Sequence, residues 1–536
     1  MSVQLNYYAG GYRVTDISNW IGLGWTLSAD QMVTRVIKGI PDESNQGYFT
    51  TGHQLSYCPT QTALDLSFPL HPCLLQQVAN GDKDGEPDLF SYSFNGYSGK
   101  FNIGIDEATE TLEVRQIDES DVKIMFDYDA GLTQGERIKG FTIFTPEGVK
   151  YTFGTQANIT AIDKTLINQI GTFNESWRLI QISSYDEKYQ IDFAYTPNNY
   201  EFFVTSTFSY MLYEHLGNQT IESTTSPSFF KIVNGHRLSG ITYGTTTLTF
   251  SANTARSDVG TNNKMLDEIQ IADGDFCKKF SLTHDYFDAG GTPFTINKRL
   301  RLTELHEKIC SGVATETELI NPYIFEYNGD YLPPLNSRDR DHWGYFNDAN
   351  NVTGDVNIPQ VSFTFPIQGN TVTIGNANRE ADNVALQTGV LTKITLPAKG
   401  HITYEYEANE YYDNVSMQNK LCGGLRIKQI TKHDGLNVSN DIITTYQYQN
   451  TSGNSSGILF NSNGNPGNMP VYSRSFGLLM GNSPCSNPCP YSGTTPGSCG
   501  TATVFYCEDE SFRPMTSSNG SIIYYEYVTE TFSNSG

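Results

Sequence analysis

The stretch Leu391-Thr392-Lys393-Ile394-Thr395-Leu396, followed by Pro397-Ala398-Lys399-Gly400 and then Ile402-Thr403-Tyr404-Glu405-Tyr406, decides the fold. Apolar and polar residues alternate in both arms, so as strands each arm lays its apolar side chains on one face. Pro and Gly fall between the arms, where the chain must reverse. The unit is a hairpin with one buried face that ends in a pair of aromatics. Trp177-Arg178-Leu179-Ile180-Gln181-Ile182 repeats it, through Asp186-Glu187-Lys188 into Ile191-Asp192-Phe193-Ala194-Tyr195. So does Leu425-Arg426-Ile427-Lys428-Gln429-Ile430, through His433-Asp434-Gly435 into Ile443-Thr444-Thr445-Tyr446-Gln447-Tyr448. Leu266-Asp267-Glu268-Ile269-Gln270-Ile271 with Phe280-Ser281-Leu282 is a weaker copy.

The copies are irregularly spaced, which argues against a strict propeller or solenoid. The expected class is all-β: an extended, curved antiparallel sheet of successive hairpins, with little helix. Insertions are expected at about 52–88, 206–232 and 450–520. Three soft regions follow: 1–160, 161–410 and 411–536, with one continuous sheet as the alternative. Ile522-Ile523-Tyr524-Tyr525-Glu526-Tyr527-Val528-Thr529-Glu530 reads as a last strand with nothing after it to pair with. Since native proteins cover such edges, more protein is expected to follow.

Composition agrees. The 536 residues include 33 Tyr, 30 Phe and 48 Gly, and aromatics reach 12%, which a disordered chain lacks. The net charge of −24 argues against a nucleic-acid partner, which needs a basic surface, and against docking on anionic lipid. No stretch approaches the roughly 20 apolar residues of a membrane span. Met1-Ser2-Val3-Gln4-Leu5-Asn6-Tyr7-Tyr8 lacks the basic and apolar regions of a secretory signal.

Nine cysteines are present. Cys485, Cys489, Cys499 and Cys507 are spaced C-x3-C-x9-C-x7-C in a Ser/Gly/Pro/Asn-rich segment. Without the two-residue spacings that preorganise zinc, a local pair of disulfides is favoured over a metal site or free thiols. The odd total leaves at least one unpaired cysteine, expected to be buried. Asp82-Lys83-Asp84-Gly85-Glu86-Pro87-Asp88 offers oxygen ligands around a glycine turn, so Asp82, Asp84 and Asp88 are the candidates for calcium. A solvated acidic turn is the favoured reading, and no other cofactor is suggested.

Trp20-Ile21-Gly22-Leu23-Gly24-Trp25 places two indoles around a glycine bend. Core packing is the favoured reading, for these and for Trp343 in Asp341-His342-Trp343-Gly344-Tyr345. An aromatic platform for a ligand, built on Trp20, Trp25 and Trp343, is the alternative. No H-E-x-x-H pair or phosphate-cradling loop occurs, and no residue is assigned a catalytic role.

Several blocks resemble large Rhs/YD-repeat proteins of the Bacteroidetes type. They are Leu5-Asn6-Tyr7-Tyr8-Ala9-Gly10-Gly11-Tyr12-Arg13-Val14, the Trp20–Trp25 block with Leu27, Thr34-Arg35-Val36-Ile37-Lys38-Gly39, and the run from Glu86 through Phe94 to Phe101. Thr145-Pro146-Glu147-Gly148-Val149-Lys150-Tyr151, Asp341-His342-Trp343-Gly344-Tyr345-Phe346-Asn347 and Gly423-Gly424-Leu425-Arg426-Ile427 continue the series in order along the chain. The resemblance implies a secreted or cell-surface protein whose hairpins coil into a β-shell around a C-terminal effector, used in competition between bacteria. The terminal processing motif and toxin domain of that family are missing from these residues. The expected role is therefore a section of shell wall, not an enzyme, whose partner is the remainder of its own longer chain. The alternative is an adhesin or glycan-binding surface protein. A shell predicts a large concave face lined by mixed polar and aromatic residues.

Overall fold

The computed structural model describes residues 2–534 apart from 50–83, 107–108, 110, 118, 157–158, 168–170, 205–206, 216–217, 227–228, 261–262, 291–293, 311–316, 319–320, 352–356, 461–469, 481–499, 510 and 512–520. Among the described residues the regular structure is almost all strand, with helix confined to single turns such as Phe294–Asn297 and Ala385–Gln387. The hairpins read from sequence form with the expected partners: Ile394 pairs with Ile402, Ile182 with Ile191, Ile430 with Thr444 and Ile269 with Phe280.

One large sheet links these hairpins. From Thr111–Gln116 it passes through Tyr97–Asp106, Leu89–Phe94 and Met32–Val36 to the long strand Gly171–Ser183. It then continues through Gln190–Val204, Phe229–Tyr243, Thr246–Ser251, Glu268–Asp273 and Phe276–Asp288 to Lys298–Ile309. Tyr323–Tyr327, Leu391–Thr395, His401–Asp413, Gln418–His433, Ile442–Gln447 and Thr529–Asn534 extend it further, and Lys150–Gln156, followed by Ile138–Phe144 and Lys123–Tyr128, also joins it at Gly171–Ser183. Strand pairing runs through both residue 160 and residue 410. The sheet also closes on itself locally. Ile162–Ile167 pairs with Gly171–Ser183 on one side and with Phe229–Tyr243 on the other, so with Gln190–Val204 four strands form a ring.

A recurring bond locks the hairpins. The Tyr195 hydroxyl donates to the Leu179 carbonyl at 2.6 Å, Tyr327 to Leu302 at 2.6 Å, Tyr406 to Leu391 at 2.9 Å and Tyr448 to Ile427 at 2.7 Å. In three of the four an arginine precedes the acceptor residue and lies over an aromatic ring. Arg178 sits 6.0 Å from the Tyr195 ring, Arg426 4.5 Å from Tyr448 and Arg301 5.1 Å from Phe287. Each arginine also pairs with carboxylates: Arg178 with Asp30 and Asp163, Arg426 with Glu407 and Glu410, Arg301 with Asp285 and Asp330. A half-buried phenol needs a partner for its hydroxyl, and the neighbouring strand's carbonyl supplies it. The aromatic ending of each repeat is thus a cross-strand fastener.

Three corrections concern loops and cysteines. The insertions at 206–232 and 450–520 do not stay apart: Thr207–His215 pairs with Asn218–Ser226 and with Gly500–Glu508, which pairs with Ser473–Met480. This four-stranded side sheet has its own core of Leu212, Ile358, Phe363, Phe365, Tyr472 and Phe505. Cys507 is packed into that core as a buried free thiol, so it is not part of a local disulfide pair. Cys485, Cys489 and Cys499 lie outside the described residues. A disulfide instead joins Cys277 and Cys310, at the ends of paired strands, and Cys422 is a second buried free thiol. Finally, residues 522–530 are not one unpaired strand. Ile523–Tyr525 pairs with Gly457–Leu459, and Thr529–Asn534 pairs with Ile442–Gln447.

Candidate functional site

The acidic segment proposed for calcium serves a different cation. Arg35, fully buried, donates from Nε at 2.8 Å and Nη2 at 2.5 Å to Asp88 Oδ2, and from Nη1 and Nη2 to both oxygens of Glu43. Asp88 also accepts from the backbone N–H groups of Lys38 and Asp42. The Asp42 carboxylate receives the Asp88 N–H in turn. Burial, then the neighbouring Asp88, pushes the Asp42 carboxyl up to about 9. Asp84 accepts from the backbone of Ile40 and Glu86. Asp82 lies outside the described residues. Asp88 Oδ2 is committed to a guanidinium because one buried arginine must have carboxylates beside it.

The tryptophans do not form a common platform. Trp20 and Trp25 are 6% and 5% exposed and belong to the main core, whereas Trp343, at 7%, belongs to a second core with Tyr345, Leu425 and Tyr411. The glycine bend between the first two is tight. A Cβ on Gly22, whose φ is +141°, would lie 2.9 Å from the Leu302 backbone nitrogen. Trp25 Nε1 donates to the Tyr327 hydroxyl at 2.9 Å, so this block clamps the tyrosine that fastens the neighbouring hairpin.

Two larger cavities stand out among the described residues. The first is a polar cleft of about 480 Å³. All four strands of the ring supply residues to it: Asp163 from Ile162–Ile167, Ser176 and Arg178 from Gly171–Ser183, Asn198 from Gln190–Val204, His236 and Arg237 from Phe229–Tyr243. Asp163 is the hub. It accepts from Arg178 Nη2 at 2.7 Å, from the Ser176 hydroxyl at 2.9 Å and from the His236 backbone N–H at 2.8 Å, with His236 Nδ1 at 3.3 Å. Burial would raise its carboxyl, but Arg178 and the hydrogen bonds from His236 and Ser176 outweigh it and hold Asp163 below the usual carboxylate range. Serine, histidine and aspartate meet here in the wrong order for acyl transfer. Ser176 donates to Asp163 itself, and a nucleophile needs its hydroxyl bonded to the histidine.

The second cavity, about 510 Å³, lies between the N-terminal strand and one face of the sheet. Leu5, Trp25 and Leu27 line one side; Leu248, Ile271, Phe280, Leu305, Phe325 and Ile394 line the other, from six neighbouring strands. Gln4, Asn6 and Tyr323 are its polar members, and among the described residues no charged one lines it. The lining is more apolar than the mixed surface expected of a shell interior. Its chemistry therefore favours an apolar occupant.

No protein-family model matches the chain, and no curated protein matches it. The residues of the two cavities are accordingly the basis for a functional reading. Sequence reasoning missed most of them. Arg178 stood in a quoted strand but was read only as its polar face, while Asp163 and His236 are brought to it by strands 15 and 58 positions away. The one available signal was an arginine recurring immediately before an apolar residue in the first arm of several hairpins.

Proposed function

We propose that this chain is a section of a secreted or cell-surface β-shell of the Rhs/YD-repeat kind, which binds and encloses polypeptide rather than catalysing a reaction. Its partner is a C-terminal effector segment of its own longer chain, of the sort used in competition between bacteria. The observation that carries the reading is the apolar cavity of about 510 Å³, lined by six neighbouring sheet strands and the strand Leu5–Tyr7. Extended polypeptide with apolar side chains is the occupant such a surface suits, because its burial is driven by area and not by specific contacts. The sheet supports the reading through its hairpins, fastened one to the next by the Tyr195, Tyr327, Tyr406 and Tyr448 bonds. The Cys277–Cys310 bridge suits an oxidising compartment.

A fluorescently labelled extended peptide alternating valine and threonine tests the idea by anisotropy. Saturable binding to the whole chain is expected, with loss in Leu305→Asp, which places a charge on the cavity wall. A peptide that stays free at high protein concentration, or that binds the variant equally, would overturn the proposal.

A further inference from the structure

One row of the main sheet brings together two histidines whose ring nitrogens the fold uses only in part. Thr395 pairs directly with His401 and His401 with His433, while Lys432 pairs with Ile442, so Asp441 falls beside His433 at the strand end. Directly opposed residues share a face of the sheet, and the two imidazoles meet there with ring centroids 4.6 Å apart. Ile402, the next residue along, lines the apolar cavity, so His401 projects from the opposite face.

His433 Nδ1 meets Asp441 Oδ1 at 2.6 Å. That carboxylate holds the proton on Nδ1 and leaves the lone pair of Nε2 bare. Among the described residues no hydrogen bond or ion pair reaches His433 Nε2 or either ring nitrogen of His401. Neither ring is sealed from water: the His433 side chain is 14% exposed, and His401 is half-buried. Burial, then the neighbouring His433 and Lys393, lower His401 below its ordinary value against the pull of Asp441 and Glu326. Near neutral pH His401 is therefore uncharged, the form in which an imidazole ligates a metal.

The spacing of the rings fits a shared ion. A metal about 2.0–2.1 Å from each ligating nitrogen lies about 3.2 Å from each ring centroid, which puts two rings about 4.5 Å apart at a right angle and about 5.2 Å apart at the tetrahedral angle. The observed 4.6 Å matches the right angle. We propose that His401 and His433 form a two-histidine site for a divalent first-row transition ion, with copper(II) bound most tightly. Among the described residues no group of three or more ligating side chains gathers, so water completes the coordination and Asp441 acts as a positioning residue. Two imidazoles and water at right angles suit tetragonal copper(II), which also stands highest in the affinity order of these ions. Calcium asks for an oxygen cage instead. The bound ion ties the strand His401–Asp413 to Gln418–His433. The site lies on the other face from the apolar cavity and stands apart from the shell reading.

Titration calorimetry of the untagged whole chain with copper(II) chloride and with calcium chloride, in a non-coordinating buffer at about pH 7.5, tests the site. Copper is expected to bind saturably and calcium not at all, with two nitrogen ligands visible in the electron paramagnetic resonance spectrum of the copper form. Asp441→Asn, which removes only the orienting carboxylate, should weaken copper binding about tenfold, and His401→Asn or His433→Asn by at least as much. The double variant should be little worse than either single one, because each alone abolishes the chelate. A melting curve in the presence of a chelator confirms that each variant folds; where His433→Asn does not, His401→Asn and the spectrum of the unaltered chain decide. Copper binding that survives unchanged in His401→Asn, a spectrum with a single nitrogen ligand, or calcium bound as tightly as copper would each overturn the proposal.

Discussion

Asp88 and Arg35, 53 residues apart in the chain, are joined by two hydrogen bonds of 2.8 and 2.5 Å to a single carboxylate oxygen, and both side chains are fully buried. The pair ties the segment after residue 83 to the strand Met32–Val36 at the point where that strand meets Leu89–Phe94. With Glu43 and Asp42 it forms one arginine among three carboxyl groups. Removing the cation leaves those carboxyls uncompensated away from water. Arg35→Met should therefore cost about 3–5 kcal/mol, read as a shift of the urea midpoint. A loss below ~1 kcal/mol would mean that the site is wetter than its burial implies.

The tyrosine fasteners differ from ordinary surface tyrosines in what they leave behind. Tyr448→Phe orphans the Ile427 carbonyl beneath a buried ring, so a loss of about 1–3 kcal/mol is expected. Tyr446→Phe removes only an exposed bond to Glu530 and should cost under about 0.5 kcal/mol. Equal losses in chemical denaturation would remove the distinction.

Asp341 gives the protein a specific dependence on pH. Burial pushes its carboxyl up to about 7, against the backbone N–H groups of Tyr345 and Trp343 that favour ionisation. Between the ordinary value of 3.8 and about 7 the folded state holds a proton that the unfolded chain has released. Stability from this group is thus complete below the lower value and is lost as pH rises through the window. Asp341→Asn should match the native protein near the acid end and exceed it at pH 8 by on the order of 2–4 kcal/mol. Parallel stability profiles for the two proteins would show that Asp341 ionises freely.

Reducing the Cys277–Cys310 bridge, which closes a span of 33 residues, should lower stability by about 3–4 kcal/mol on chain-entropy grounds. Melting with and without a reductant checks this, and the double serine variant should be insensitive to reductant. An unchanged midpoint would mean that paired strands alone constrain the ends.

Gly22→Ala places a methyl 2.9 Å from the Leu302 nitrogen at a φ of +141°. Gly96 also has positive φ, but nothing lies within 4 Å of its Cβ position. The first substitution should cost clearly more than the second, whose penalty is limited to the ~1–2 kcal/mol of the backbone conformation. Equal penalties would place the Trp20–Trp25 bend less tightly against its neighbour.

The sequence by itself determined the class of fold and the local pairings. Alternation with period two and Gly, Asp or Pro at the reversals are local properties, so Ile394 with Ile402 and Ile182 with Ile191 were legible before any tertiary fact. It could not show which strands from distant parts of the chain would meet. The insertions at 206–232 and 450–520 share a sheet because Thr207–His215 pairs with Gly500–Glu508, nearly 300 residues later. The acidic run ending at Asp88 read as a solvated turn with calcium as the alternative, and only the fold brings Arg35 onto Asp88 Oδ2. The polar cleft depends on four strands returning to one ring, and only that return brings Asp163, Arg178 and His236 together. Periodicity is fixed by each residue's own backbone, whereas a site is fixed by which backbones become neighbours, and chain order does not encode that directly.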